Sequence, residues 1–303
     1  MVTKLFISIL VVCLLFTSEG YTQLYDNTTS TVYEQLPPFN AKFIGKNKIK
    51  QIQGKLFNKK TGDVMRLTDD EITYHFNEQG QLIHRLEIVS TNNFLDTISE
   101  VYQYNSKGKI SKKIKNLHDK FHAYSYSYDT SNYITRIETH EALLTNSDLH
   151  FPEFEMDTLI DFETMRYKTY TPTQRKKIVY NSYGNPYLDE IYYSNKEGQI
   201  IEIAKKLKIT SEINETKFTY TPSNLIDSMY TYSSVTPQEI ESHKYIYDKQ
   251  NKLIYKKNYK NKELITQTDY IYNATTKMLS SIIIQDVATN FLKIIRFETS
   301  YWE

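Results

Sequence analysis

Cysteine is almost absent from this chain of 303 residues: the single copy, Cys13, lies in an apolar run close to the N-terminus. One cysteine cannot form an internal disulfide, so stapling is excluded and the fold must hold by burial and hydrogen bonding. Glycine (8) and proline (7) are scarce too. Neither sign of charge dominates, with 37 Lys+Arg against 36 Asp+Glu, which argues against the basic field that general nucleic-acid binding needs. Beyond the first 20 residues no stretch reaches the ~18 apolar residues of a transmembrane helix. No phosphate-binding glycine loop, dinucleotide fingerprint or Gly-x-Ser-x-Gly elbow occurs. No catalytic residue and no cofactor is therefore expected.

Tyrosine, by contrast, is abundant at 27 copies. It favours strands and half-buried faces, and the composition is not that of a disordered chain. Residues 1–20 read as a signal peptide: Lys4 supplies the positive start, Leu5 to Phe16 the apolar run, and Ser18-Glu19-Gly20 the small residues of a cleavage site near Gly20. Cleavage would leave a cysteine-free chain, which suits a bacterial envelope or medium. The expected location is secreted, periplasmic or on the cell surface, with no integral membrane insertion.

One spacing recurs eight times: aromatic, any, aromatic, Asn or Asp, two residues, Gly or Asn, any, aliphatic. The clearest copies are Tyr102-x-Tyr104-Asn105-x-x-Gly108-x-Ile110 and Tyr245-x-Tyr247-Asp248-x-x-Asn251-x-Leu253. The two aromatics share a strand face. The Asn or Asp opens a turn by bonding backbone ahead of it, and the Gly or Asn takes a positive φ. Asn77 with Gly80, Asp129 with Asn132, and Asn195 with Gly198 repeat the layout. Aligned on Gly80, Gly108, Asn132, Gly184, Gly198, Asn224, Asn251 and Thr276, most copies lie near 26 residues apart, with one step of 52 and one of 14. A copy is expected to be missing between Ile137 and Lys176. Periods of this length mean stacked supersecondary units.

These copies resemble the YD repeats of Rhs and teneurin-type proteins, which build long hairpin sheets. The resemblance spans roughly residues 70–285 with one gap. Tyr-Asp itself stands at Tyr128-Asp129 and Tyr247-Asp248, while other copies read Tyr-Asn, and the family's Arg after Gly is replaced by Gln81, Lys109 and Gln199. Eight units are too few for the family's closed shell, so that function is not carried over; carbohydrate binding is what the resemblance hints at.

The expected fold is all-β, an elongated curved antiparallel sheet of tandem β-hairpin repeats over residues 43–303. A linker or cap covers 21–42, and an irregular insert covers about 138–175. The alternating pattern leaves open which face is buried. Arg85, Lys112, Lys113, Arg136, Lys256 and Lys257 follow the turns at similar distances and would form a basic ladder for an acidic polysaccharide if the hairpins stack in register; lysines that keep strand edges apart are the competing explanation. His118 and His122 lack the Glu of a zinc-protease helix, and the acidic run Glu153 to Glu163 lacks the glycine of a calcium loop, so no metal is expected. The expected function is an exported, non-catalytic binding or scaffold module for a polysaccharide or an envelope protein. The alternatives are an outer-membrane β-barrel and a glycan-active enzyme using the acidic insert.

Overall fold

The computed structural model describes residues 24–26, 39–91, 94–117, 120–146, 148 and 152–303. The expected signal peptide, Cys13 and His118 lie outside the described residues.

The repeat is a turn that folds on local chemistry. In the copy at Tyr104, the Asn105 side-chain oxygen accepts from the backbone N–H groups of Lys107 and Lys109, each at 3.0 Å, and the Gly108 N–H donates to the Asn105 carbonyl at 2.9 Å. Gly108 sits at φ +73°, where a side chain is strained. Asn77, Asp129, Asn195 and Asp248 accept in the same way from the residue four ahead, and Gly80, Asn132, Gly198 and Asn251 all take positive φ. The last copy departs from its expected layout. Its loop is one residue longer, so Lys277, not Thr276, holds the positive φ of 61°.

Among the described residues are one short helix, α1 (Ala41–Lys46), and eighteen strands. They are β1 (Ile49–Lys59), β2 (Arg66–Phe76), β3 (Leu82–Thr91), β4 (Phe94–Tyr104), β5 (Ile110–Leu117), β6 (Lys120–Tyr128), β7 (Ile134–Leu144), β8 (Phe154–Thr171) and β9 (Gln174–Tyr180). The second half holds β10 (Pro186–Ser194), β11 (Ile200–Leu207), β12 (Ile213–Tyr220), β13 (Ile226–Ser233), β14 (Ile240–Tyr247), β15 (Leu253–Lys260), β16 (Glu263–Tyr272), β17 (Leu279–Asp286) and β18 (Leu292–Tyr301). Each strand pairs antiparallel with its neighbours in sequence, and β18 pairs with β1, from Ile49 opposite Tyr301 to Lys59 opposite Leu292. The sheet is therefore a closed eighteen-stranded barrel. The antiparallel hairpins are as expected; the open, elongated sheet is corrected. β1 lies outside the eight copies, yet it supplies the seam strand between β18 and β2. Closure leaves no unpaired edge.

Closure also explains the irregular spacing. Turns after even-numbered strands gather at one end of the barrel, the repeat end. Gly184 lies in the β9–β10 turn, at the opposite end, together with Gly62 between β1 and β2. The missing copy is the two-residue β8–β9 turn at Pro172-Thr173. The expected irregular insert at 138–175 is wall: it contains most of β7, all of the 18-residue β8 and the start of β9.

The N-terminal segment stoppers the repeat end. Asn40 caps α1 by accepting from the Phe43 N–H at 3.1 Å, and Phe43 and Ile44 are buried. Tyr25 bridges to Phe39 and stacks on it at 5.4 Å, while the Phe39 ring meets Tyr74 at 4.8 Å and Phe76 at 5.0 Å. Tyr25 also meets Tyr270 of β16 at 5.6 Å. These contacts assign the faces: the paired aromatics of the repeat point inward, and residues alternating with them point outward.

Candidate functional site

The lumen holds three organised sets of side chains. The first is a chain of tyrosines at the repeat end. The second aromatic of five copies, and Tyr167 of β8, which belongs to no copy, donate their hydroxyls to the carbonyl of the aliphatic residue that opens an earlier return strand. Tyr104 reaches Leu82 at 2.7 Å, Tyr128 reaches Ile110 at 2.6 Å, and Tyr167 reaches Ile134 at 3.1 Å. Tyr220 reaches Ile200 at 2.5 Å, Tyr247 reaches Ile226 at 2.7 Å, and Tyr272 reaches Leu253 at 2.8 Å. The recurrence of the spacing thus has a tertiary reason: six hydroxyls latch a hairpin to one before it. Phe76, in the first copy, has no earlier repeat to latch to and lacks the hydroxyl.

Above this chain lie two ionic knots built alike. On β4, Glu100 accepts from the Tyr102 hydroxyl two residues on at 3.0 Å, and from Arg85 (3.1 Å) and Lys113 (2.7 Å) on the flanking strands. On β10, Glu190 accepts from Tyr192 at 2.6 Å and pairs with Lys177 (3.0 Å) and Lys205 (3.2 Å). Burial pulls both carboxyls upward, yet the flanking cations outweigh it and hold each below the usual carboxylate range. Burial and the adjacent Glu100 push the Tyr102 hydroxyl well up. The sequence signal for these knots is a Glu two residues before the first tyrosine, Glu100-x-Tyr102 and Glu190-x-Tyr192.

The third feature is a cavity of about 460 Å³ between Phe39 of the stopper and the wall from β3 to β11. Tyr128, Tyr133, Tyr167 and Tyr192 line it with Arg175 and Lys177. The Arg175 guanidinium carbon lies 4.4 Å from the Tyr133 ring centre, 5.0 Å from Tyr192 and 5.8 Å from Tyr167. Its Nε is buried without a hydrogen-bond partner.

The residues expected to form a basic ladder are split by the wall. Arg85, Lys113 and Lys256 stand opposite Tyr74, Tyr102 and Tyr245 and face the lumen. Lys112, Arg136 and Lys257 stand opposite Gln103, Ser127 and Gln267 and face outward. Adjacent residues of an extended strand cannot share a face, so Lys112–Lys113 and Lys256–Lys257 could never join one ladder. Arg85 and Lys113 are committed to Glu100, and Arg136 is paired with Glu138 at 2.8 Å. The acidic run leads into and along β8, with Glu153, Glu155, Asp157 and Asp161 exposed and Glu163 accepting from the Tyr187 hydroxyl. Among the described residues no group of three or more His, Cys, Asp or Glu is placed to hold a metal.

No family model and no curated protein matches the chain. Among solved structures, a porin-like protein from Bacteroides uniformis is similar over 83% of this chain and 98% of its own, at 10% identity and a TM-score of 0.41. A porin-like protein from Bacteroides vulgatus is similar over 71% of this chain and 96% of its own, at 8% identity and a TM-score of 0.31. The Tc holotoxin pore of Photorhabdus luminescens is similar over 77% of this chain and 19% of its own, at 10% identity and a TM-score of 0.23.

Proposed function

We propose that this chain is an exported, non-catalytic envelope β-barrel that works as a stoppered binding vessel, with its outer wall in water. Closure moves the reading from an open binding sheet to a barrel whose organised residues line the lumen. The observation that carries the aqueous placement is the outward face. Lys217 pairs with Glu202 and Glu215, each at 3.5 Å, on the outside of β11 and β12. Asp189 pairs with Lys176 at 2.7 Å and Lys208 at 3.4 Å on the outside of β9 to β11. Arg136 and Glu138 do the same on β7. A lipid-facing band is apolar, and an outward Lys or Arg at its midplane costs about 2–4 kcal/mol.

The second reading is an outer-membrane barrel. It is favoured by the edge-free antiparallel ring and by strands that are mostly 8–11 residues long, close to the ~9–11 that cross a bilayer. Phase partition of the folded chain in Triton X-114 separates the two. Recovery in the aqueous phase, with β-sheet circular dichroism retained in the absence of detergent, is the expected result. Recovery in the detergent phase would replace the aqueous reading with the membrane one.

A further inference from the structure

We infer that the lumenal cavity around Arg175 is a binding site for a small organic carboxylate whose ring stacks on tyrosine. This deepens the reading of the lumen as the working surface and rests on it. Three observations carry it.

The first is an imbalance of charge. Among the described residues, the only carboxylate within ion-pair distance of the cavity's lining cations is Glu190, and it is already shared by Lys177 and Lys205. Arg175 makes no ion pair among the described residues, so the site keeps a surplus of positive charge facing the cavity. The second is geometry. Arg175 and Lys177 are two apart on β9 and point the same way, into the cavity, so a single anionic group entering there meets both. The flat guanidinium offers parallel N–H donors that match a carboxylate in two-pronged fashion. Tyr133, Tyr167 and Tyr192 hold that plane in place, and the buried Nε waits for an acceptor that the protein does not supply.

The third is the shape and lining of the space. A volume of about 460 Å³ falls within the range of small-molecule pockets. It is too large for an inorganic anion to fill. Tyr128 and Tyr133 add aromatic surface beside the cation, and a ring-bearing ligand would cover it. An acidic sugar and an aromatic acid share this chemistry and are told apart by the test.

The test is isothermal titration of the folded chain with sodium glucuronate, sodium benzoate and sodium sulfate in separate runs. It is done in buffer or in detergent, whichever phase holds the folded barrel, so that failure of the aqueous placement leaves this measurement intact. Binding of glucuronate or benzoate, weakened at least tenfold by Arg175→Gln and unchanged by the outer-face control Lys217→Gln, is the expected result; the better of the two names the source. Should Arg175→Gln fail to fold, Tyr133→Ala, in the β6–β7 turn, takes its place, with a loss of several-fold expected. The proposal is overturned if neither carboxylate binds, if sulfate binds as tightly as they do, or if the cavity variants bind like the unaltered chain.

Discussion

Tyr104 donates its hydroxyl to the carbonyl of Leu82 at 2.7 Å, joining the end of one repeat to the start of the return strand in the repeat before it. The two residues are 22 apart in sequence, and the bond spans the gap between turns that have no backbone ladder of their own. Six such bonds make the repeat end a belt of latched hairpins, so the tyrosine at this position is there for its hydroxyl as much as for its ring.

Removing one latch should therefore cost the worth of one hydrogen bond. Tyr104→Phe and Tyr247→Phe are each expected to lower stability by about 1 kcal/mol. Phe76→Tyr runs the other way round. It improves the match to the repeat, but Phe76 is 1% exposed and packed against Phe39, so a hydroxyl there has no latch to make. A loss of about 1–3 kcal/mol is expected from the buried unmatched group. Urea melts of the three variants check both directions. A stabilised Phe76→Tyr would show that the belt has a seventh member.

Turn glycines should not be equivalent. A Cβ on Gly80 would lie 2.1 Å from the Ala41 carbonyl oxygen and 2.4 Å from the Gly45 nitrogen, because α1 rests on that turn. A Cβ on Gly198 meets nothing within 4 Å. Gly198→Ala should cost only the left-handed backbone penalty of roughly 1–2 kcal/mol. Gly80→Ala should cost that and also unseat the stopper. Limited proteolysis read at the N-terminal segment distinguishes them: faster cleavage is expected for Gly80→Ala alone.

Breaking an ionic knot should be more damaging than its surface count suggests. Glu190 is 5% exposed and neutralises two lysines. Glu190→Ala is expected to cost about 3 kcal/mol, the low end for a broken buried pair, since Lys205 keeps partial contact with water. The triple change with Lys177→Met and Lys205→Met should recover part of that loss. Chemical denaturation of both variants measures the recovery, and its absence would assign the cost to packing instead.

The pH dependence follows from the same groups. Burial raises the Tyr74, Tyr126 and Tyr270 hydroxyls from 10.0 to about 12. A group raised in the folded state contributes stability that is whole below its unfolded pKa and is lost as pH rises through the folded value. Alkaline loss of structure is thus expected between pH 10 and pH about 12, with a rise in tyrosinate absorbance beyond that of exposed tyrosines such as Tyr183 accompanying unfolding. Glu100 and Glu190 are held low, so their contribution is present above the ordinary carboxylate pKa and is lost as pH falls through their depressed values. Absorbance at the tyrosinate band against circular dichroism checks the alkaline limb. Ionisation of the full complement of tyrosines before unfolding would place these hydroxyls in water.

What could be read from the residues alone was whatever depends on a few neighbours. Asn105 and Gly108 form their turn through bonds within five residues, so the hairpins, their all-β class and most of their period were legible. The eighth copy misled because Thr276 fits the spacing, while the extra loop residue moved the positive φ to Lys277. The basic ladder failed for the same reason at larger scale: a count from the turn ignores the bulges and alternation that send Lys112 out and Lys113 in. Closure depended on β1 finding β18, with Ile49 opposite Tyr301 across nearly the whole chain, and no local pattern encodes a pairing at that separation. The same closure determined which face became the lumen, and so placed Arg175 among Tyr133, Tyr167 and Tyr192. Turn chemistry is short-ranged and belongs to the sequence; facing, closure and the cavity are set by which distant strands share hydrogen bonds, and those exist only once the ring is made.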